Sequence, residues 1–148
     1  MVYSKVAISH PTLCHKTYKT AAGTAIECVG FEVETNLQHC PLIRVAGLYS
    51  SPQAKWKELE KFVAEFNKGL SAHTIPVIFM GDFNVNLLTT SSHQITKVMP
   101  YPQRVTQATT DKGSLLDHVY ISDLGQNIVV GVLESHFSDH KPVYALLQ

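Results

Sequence analysis

The sequence lacks a paired set of cysteines, a long apolar run and an apolar leader. Its three cysteines, Cys14, Cys28 and Cys40, are an odd number without Cys-x-x-Cys spacing, which argues against a disulfide framework and a zinc site. Buried reduced thiols in an intracellular protein, nuclear or cytoplasmic, are therefore expected. No stretch has the length needed to span a bilayer, and residues 1–5 lack the core of a signal peptide, so no membrane partner is expected.

The sequence also has no excess charge of either sign. Lysine plus arginine number 12, as do aspartate plus glutamate, and the net charge is zero. A strongly basic surface for long-range capture of nucleic acid is thus excluded, although a local patch would still permit a DNA substrate. The 148 residues suit one domain, and the eight glycines and seven prolines favour short, β-rich elements.

Apolar periodicity predicts a chain of strands around one long helix. Ser51 is the expected N-cap and Pro52 the first residue of an amphipathic helix that extends to residue 70. A strand before this helix and a strand after it would form a βαβ-like unit with neighbouring strands. A short helix is predicted over 94–99. Strands are predicted over residues 2–9 (ended by His10-Pro11), 24–35, 41–50, 77–80, 115–122, 127–134 and 143–147.

The strand over residues 77–80 is the centre of the predicted fold. Its four consecutive apolar residues indicate a strand buried on both faces, and Gly81 follows it, where the backbone can turn. Asp82 and Asn84 come just past its end, where open α/β sheets bind ligands, and together they could hold a water and a phosphate oxygen. Taken alone, these residues are more simply explained by an Asx-type turn.

Two later stretches change that interpretation. Asp117 interrupts the apolar run 115–121, and Ser138-Asp139-His140 precedes the last strand. With Gly81-Asp82-Phe83-Asn84, in this order, the sequence resembles the endonuclease/exonuclease/phosphatase superfamily, which has the DNase I-like fold. Residues 106–110 and 115–122 are similar to the nuclease domains of non-LTR retrotransposons and Helitron-type mobile elements. The resemblance implies an α+β fold, a DNase I-like α/β sandwich of two β-sheets flanked by helices.

The resemblance also implies roles for individual side chains. Asp82 would orient or deprotonate the attacking water, and Asn84 would hold Asp82 or the phosphate. His140 would donate a hydrogen bond to a non-bridging phosphate oxygen. Asp117 would accept a hydrogen bond from the His140 ring, which fixes its tautomer and favours its charged form. Asp139 would bind a divalent cation, Mg²⁺ or Mn²⁺.

Two further residues have alternative explanations. Tyr49 matches a family tyrosine that helps bind the scissile phosphate, but Pro52 follows one residue late and the loop has no asparagine, so Tyr49 could equally cap the sheet edge. His118 follows Asp117 and could serve packing or function. The remaining histidines are assigned to packing or the surface, and Asp111 and Asp123 to turns.

The sequence departs from the family pattern in its first part. Family domains begin with a strand ending in Asn, then a helix, then a strand ending in Gln-Glu, whose Glu is a principal metal ligand. This chain has no such segment, since Glu27, Glu32 and Glu34 fall within a strand alternation. The resemblance therefore implies that residues 1–148 form one N-terminally truncated domain, lacking the Asn and Gln-Glu strands, with an incomplete metal site and an exposed sheet edge.

Two functional hypotheses follow. The first is a metal-dependent, DNA-nicking endonuclease domain of a mobile element, part of a longer reverse transcriptase or helicase polyprotein, that acts on the DNA backbone and is weak or inactive in this span. The second is a catalytically silent relic with a structural or interaction role. Because the fold also hydrolyses phosphomonoesters and phospholipid headgroups, a phosphatase is a further alternative. The intact acidic motifs favour the first hypothesis, and the absent Glu favours the second.

Overall fold

The computed structural model describes residues 8–19, 25–70, 75–89, 94–123 and 127–148. Within these ranges the chain forms an α+β sandwich, as the sequence predicts. Its elements in chain order are β1 (Ile8–Lys19), β2 (Ala25–Glu34), β3 (Leu42–Ser50), α1 (Trp56–Leu70), β4 (Val77–Asp82), α2 (Gln94–Val98), β5 (Asp117–Ile121), β6 (Ile128–Val132) and β7 (Val143–Leu147).

The strands form two sheets. The larger has five strands in the order β1-β2-β3-β4-β5, and the smaller is the antiparallel pair β6-β7. Within the larger sheet β3 and β4 are parallel, and the other neighbouring pairs are antiparallel. Helix α1 connects β3 to β4, so the predicted βαβ-like unit with adjacent strands is present.

The five-stranded sheet buries apolar side chains on both faces. Val77 and Phe79 of β4 belong to the core beneath α1, with Leu59, Val63 and other apolar residues of that helix. Ile78 of the same strand belongs to a second core, which inward-facing residues of β6 and β7 cover. A strand enclosed between a helix layer and a second sheet has to be apolar on every residue, which explains the run at 77–80.

Helix α1 begins later than the sequence predicts. Its first residue is Trp56, whereas Ser51 belongs to a turn in which its carbonyl accepts the Ala54 N–H (2.9 Å). The Glu58 carboxylate accepts the Lys55 N–H (3.0 Å), which satisfies a donor that the start of a helix leaves unpaired. The predicted cap at Ser51 and start at Pro52 are therefore wrong, because the Glu58 side chain caps a later start.

Strand β1 continues through the proline that was expected to end a strand at residue 9. It runs from Ile8 to Lys19, with irregular register between His10 and Cys14. Proline removes a hydrogen-bond donor, which an edge strand tolerates at a bulge, and β1 is the edge of the five-stranded sheet. Most of the predicted strand over 2–9 lies outside the described residues.

The remaining sequence expectations concern thiols and membrane spans. Cys28 and Cys40 are both buried, and burial raises the pKa of the Cys40 thiol. In the described part of the chain, neither helix is long and apolar enough to cross a bilayer.

Candidate active site

Three side chains lie in one row where β3 and β4 end and β5 begins. Tyr49 of β3 is paired with Asp82 of β4, and Asp82 is paired with Asp117 of β5. Residues paired across neighbouring strands project to the same face of a sheet, so the row brings a phenol and two carboxylates together. Glu27 of β2 extends the row, because it is paired with Tyr49. Sequence reasoning missed this position of Glu27, since only the strand register reveals it.

Strand β4 continues through Gly81 to Asp82, two residues beyond the predicted strand, so Asp82 lies at its end and not past it. The end of β4 and the turn after it orient Asp82. Gly81 has a φ of +145°, and a Cβ at this position would lie 1.9 Å from the Leu48 carbonyl oxygen. Asn84 has a φ of 51°, in the left-handed region. Its N–H donates to Asp82 Oδ1 (2.9 Å), and its side-chain amide donates to the Ser50 carbonyl (2.6 Å). Asn84 thus connects Asp82 to the end of β3.

A buried threonine connects β5 to the segment that carries His140. The Thr109 hydroxyl oxygen accepts the N–H groups of Leu116 and Asp117, both at 3.0 Å. The Thr109 carbonyl accepts the Lys141 N–H at 2.7 Å, and Thr110 forms an isolated β-bridge with His140. Thr109 is fully buried, and its polar sequence context gave no signal of this role.

The His140 ring is hydrogen-bonded to Asp117. His140 Nδ1 lies 2.9 Å from Asp117 Oδ2. Because an ionised carboxylate only accepts, Nδ1 carries the proton, and Nε2 is left for another partner. Partial burial of the ring opposes its charged form, but the hydrogen bond and charge of Asp117, together with the charges of Asp82 and Asp139, raise the pKa of His140. The geometry thus favours an imidazolium at this site.

Asp82, Asp117 and His140 form a compact cluster. One ligand atom from each lies within 4.8 Å of the others. Burial raises the pKa of the Asp82 carboxyl, as does the negative charge of Asp117, while the Asn84 N–H and the charge of His140 oppose the rise. Two carboxylates at this distance repel each other, so a positive charge between them is favourable.

His118 lies in the core, separate from this cluster. Its side chain is fully buried and stacks on Phe83, with 4.6 Å between ring centroids. Nε2 lies 2.8 Å from the Val85 carbonyl and Nδ1 lies 3.1 Å from the Tyr120 hydroxyl, so Nε2 donates and Nδ1 accepts. Burial lowers the pKa of His118 to about 4. Of the two explanations for His118, the structure supports packing.

The structure brings three of the predicted site residues into the cluster, places two beside it and leaves one outside it. Asp82, Asp117 and His140 are clustered, Asn84 contacts Asp82, and Tyr49 is the neighbour of Asp82 in the row with its side chain 46% exposed. Asp139 is exposed and lies outside the cluster; its carbonyl accepts the Asp111 N–H at 3.0 Å.

The donor chemistry of the cluster fits a divalent cation. Asp82 and Asp117 offer carboxylate oxygens, the hard ligands that Mg²⁺ and Mn²⁺ prefer. Nδ1 of His140 is engaged by Asp117, so His140 is better suited to hydrogen-bond an anion through Nε2 than to bind the cation. The arrangement can accommodate a phosphate group between an imidazolium and a cation held by carboxylates.

Comparison with protein families gives one match over most of the chain. Residues 1–140 match the model of the Endonuclease/Exonuclease/phosphatase family. No curated protein matches the chain significantly.

Solved structures with the same fold include enzymes of different types. An endonuclease/exonuclease/phosphatase family protein from Bacteroides thetaiotaomicron is 20% identical (TM-score 0.61, covering 83% of this chain and 56% of that chain). A mannosyl-6-phosphatase from the same organism is 19% identical (TM-score 0.57, 84% and 57%). The endonuclease domain of TRAS1, a telomere-specific non-LTR retrotransposon, is 15% identical (TM-score 0.63, 87% and 65%). The chain thus spans less than two thirds of each relative, and the likeness shows the DNase I-like fold.

Proposed function

The chain belongs to the endonuclease/exonuclease/phosphatase family, and on that premise we propose that it contributes to metal-dependent hydrolysis of a phosphodiester in DNA. The family comprises metal-dependent nucleases and phosphatases. The observation that carries the proposal is the cluster of Asp82, Asp117 and His140, in which His140 is hydrogen-bonded to Asp117.

Each residue has a distinct part in this reaction. Asp82 accepts a proton from, or orients, the attacking water, and the Asn84 N–H holds the Asp82 carboxylate in place. Nε2–H of His140 donates to a non-bridging phosphate oxygen as negative charge develops, and Asp117 keeps the ring charged and oriented. The exposed Tyr49 hydroxyl supplies a second donor to the phosphate.

A divalent cation, when bound, would stabilise the charge on the phosphate as a Lewis acid. Asp82 and Asp117 would hold it, with Asp139 as a further ligand. Within the described residues, the cluster of possible ligands contains two carboxylates and one imidazole. We therefore propose that this span hydrolyses the phosphodiester slowly. It would belong to a domain of a mobile-element polyprotein, and residues outside the span would be needed for full activity.

Relaxation of supercoiled plasmid in Mg²⁺ or Mn²⁺ tests the proposal. We expect slow nicking that EDTA abolishes and that His140→Ala reduces by about 100-fold or more, because positioned donors contribute this much to such reactions. Hydrolysis of bis(p-nitrophenyl) phosphate by the same variants measures the chemistry without DNA binding. His136 is exposed and lies four residues before His140, so it provides the matched control. The His136→Ala variant should nick plasmid at the wild-type rate.

The results separate the candidate functions. Metal-dependent nicking that survives His140→Ala would contradict the proposed site. No cleavage of plasmid or of the small diester would favour the silent structural or interaction role, and cleavage of phosphomonoesters alone would favour a phosphatase.

A further inference from the structure

The loop between β6 and β7 carries the most exposed large apolar side chain of the described residues. Phe137 is 99% exposed, whereas the other exposed large apolar side chains range from 37% to 52%. The remaining phenylalanines, at positions 31, 62, 66, 79 and 83, are at most 7% exposed. Phe137 therefore takes no part in the packing of the described core.

The loop that presents Phe137 is held at both ends. The Leu133 N–H donates to the Pro142 carbonyl (2.9 Å), which closes the base of the loop. On the side of the site, the Ser138 hydroxyl accepts the His140 N–H (3.1 Å). The Phe137 N–H itself donates to the Ser135 hydroxyl (3.3 Å), so Phe137 lies on a hydrogen-bonded loop, three residues before His140. An aromatic side chain with only two side-chain torsions loses little conformational entropy when it binds.

We propose that Phe137 stacks on an unpaired nucleobase beside the phosphate bound at His140. The Cα atoms of these two residues lie within about 11 Å, the longest span of three residues, which about three stacked nucleotides also cover. Every base has a π-face, and aromatic side chains bind single-stranded or extruded bases through that face. The proposal deepens the proposed function, since it rests on a phosphodiester at the site.

Charge and the surroundings of the loop favour a nucleobase over a lipid surface. The net charge of the chain is zero, so long-range attraction to the nucleic-acid backbone is weak, and stacking would supply affinity that does not depend on charge. The neighbours of Phe137 in the loop are polar or acidic (His136, Ser138 and Asp139), which does not make the contiguous apolar surface that inserts into membranes.

The test uses single-stranded oligonucleotides that contain 2-aminopurine, whose fluorescence falls when it stacks on an aromatic ring. The binding is measured in EDTA, so that it does not depend on cleavage. We expect wild-type protein to quench the probe, Phe137→Ala to bind about 5- to 150-fold more weakly without quenching, and Phe137→Trp to retain both. Leu146→Ala, at an exposed apolar position on β7, is the matched control and should bind as the wild type does.

The outcomes distinguish this proposal from the function on which it rests. No quenching by the wild type, or equal binding by Phe137→Ala, would overturn the stacking proposal. Phe137-dependent binding to phosphatidylcholine vesicles without binding to the oligonucleotide would overturn it in favour of a membrane surface. Hydrolysis of bis(p-nitrophenyl) phosphate should be unchanged in Phe137→Ala. If that hydrolysis is absent in the wild type while the probe is still quenched, the proposed function fails and the stacking proposal stands.

Discussion

His118 and His140 show how their surroundings give one residue type opposite protonation behaviour. His118 is enclosed between Phe83 and Tyr120, and burial keeps it neutral by lowering its pKa to about 4. His140 is only partly buried, and the adjacent Asp117 raises its pKa despite that burial. The sequence places each histidine next to an aspartate, at Asp117-His118 and Asp139-His140, so sequence proximity does not distinguish them.

The buried His118 predicts a pH-dependent stability. The pKa of His118 is about 4 in the folded state and about 6.5 in the unfolded state. The contribution of the neutral His118 to folding stability is therefore fully present above about pH 6.5 and is lost as the pH falls to about 4. As the pH falls through this range, we expect the titration of His118 to lower the free energy of unfolding by about 3 kcal/mol. Urea unfolding at several pH values in this range measures the loss of stability, and we expect the His118→Phe variant to show a weaker dependence of stability on pH. An equal pH dependence in that variant would contradict the prediction; His39→Gln, at an exposed position, is the control.

Asn84 predicts a backbone effect next to the site. Its φ of 51° suits Asn or Gly, whereas Ala at this position should incur strain. Both Asn84→Ala and Asn84→Gly lose the hydrogen bond to the Ser50 carbonyl. The difference in stability between the two variants therefore reports the backbone strain at this position. We expect Asn84→Gly to be about 1 kcal/mol more stable than Asn84→Ala in urea unfolding. Equal stability would show that the left-handed conformation carries no strain.

At the scale of elements, the pairing of β3 with β4 depends on Gly81. A methyl group there would lie 1.9 Å from the Leu48 carbonyl oxygen, and the φ of +145° is rarely adopted by other residues. We expect Gly81→Ala to lower the free energy of unfolding by about 3 kcal/mol or more, because overpacking and strain add. The control is Gly47→Ala on β3, where the nearest atom would be 3.7 Å away. Thermal unfolding of both variants measures the contrast, and similar melting temperatures would contradict it.

Most element types were predictable from the sequence, but several boundaries were not. The apolar run at 77–80 and the amphipathic pattern of α1 depend on local spacing, which the sequence displays. The start of α1 depended on the Glu58 side chain, whose competition with Ser51 is not visible in apolar periodicity. The continuation of β1 past Pro11 depended on β1 being an edge strand, which is a property of the whole sheet. Boundaries that depend on a partner element are therefore poorly determined by local sequence.

At the scale of the whole molecule, the site is assembled by strand register. The motifs that contain Asp82, Asp117 and His140 were identified by resemblance, but their convergence depends on pairing between distant segments. The positions of Glu27 and Thr109 depend on the same pairing and carry no local signal. Asp139 adjoins His140 in sequence and its charge helps to raise the pKa of His140, yet it lies outside the compact cluster, so sequence adjacency does not determine which residues form the cluster.

Under the proposed function, the charge balance of the whole chain predicts how binding to DNA would depend on salt. With a net charge of zero, we expect the protein to neutralise only one or two phosphates, which gives a slope of log K against log salt between about −1 and −2. Oligonucleotide affinity should then fall about 4- to 16-fold between roughly 50 and 200 mM salt, whereas a protein with many phosphate contacts loses about 1,000-fold or more. Fluorescence anisotropy in EDTA measures this slope.

We expect one lysine in the turn beside the site to contribute to the slope of log K against log salt. Lys112 is exposed and follows Thr110 and Asp111, which contact His140 and Asp139 respectively. Lys112→Gln should therefore make the slope shallower by about 1, because one fewer counterion is released. Lys61→Gln, on the solvent face of α1, should leave the slope unchanged. A slope steeper than about −4 in the wild type would mean that phosphate contacts extend far beyond this turn, and binding would then depend on electrostatics more than on stacking.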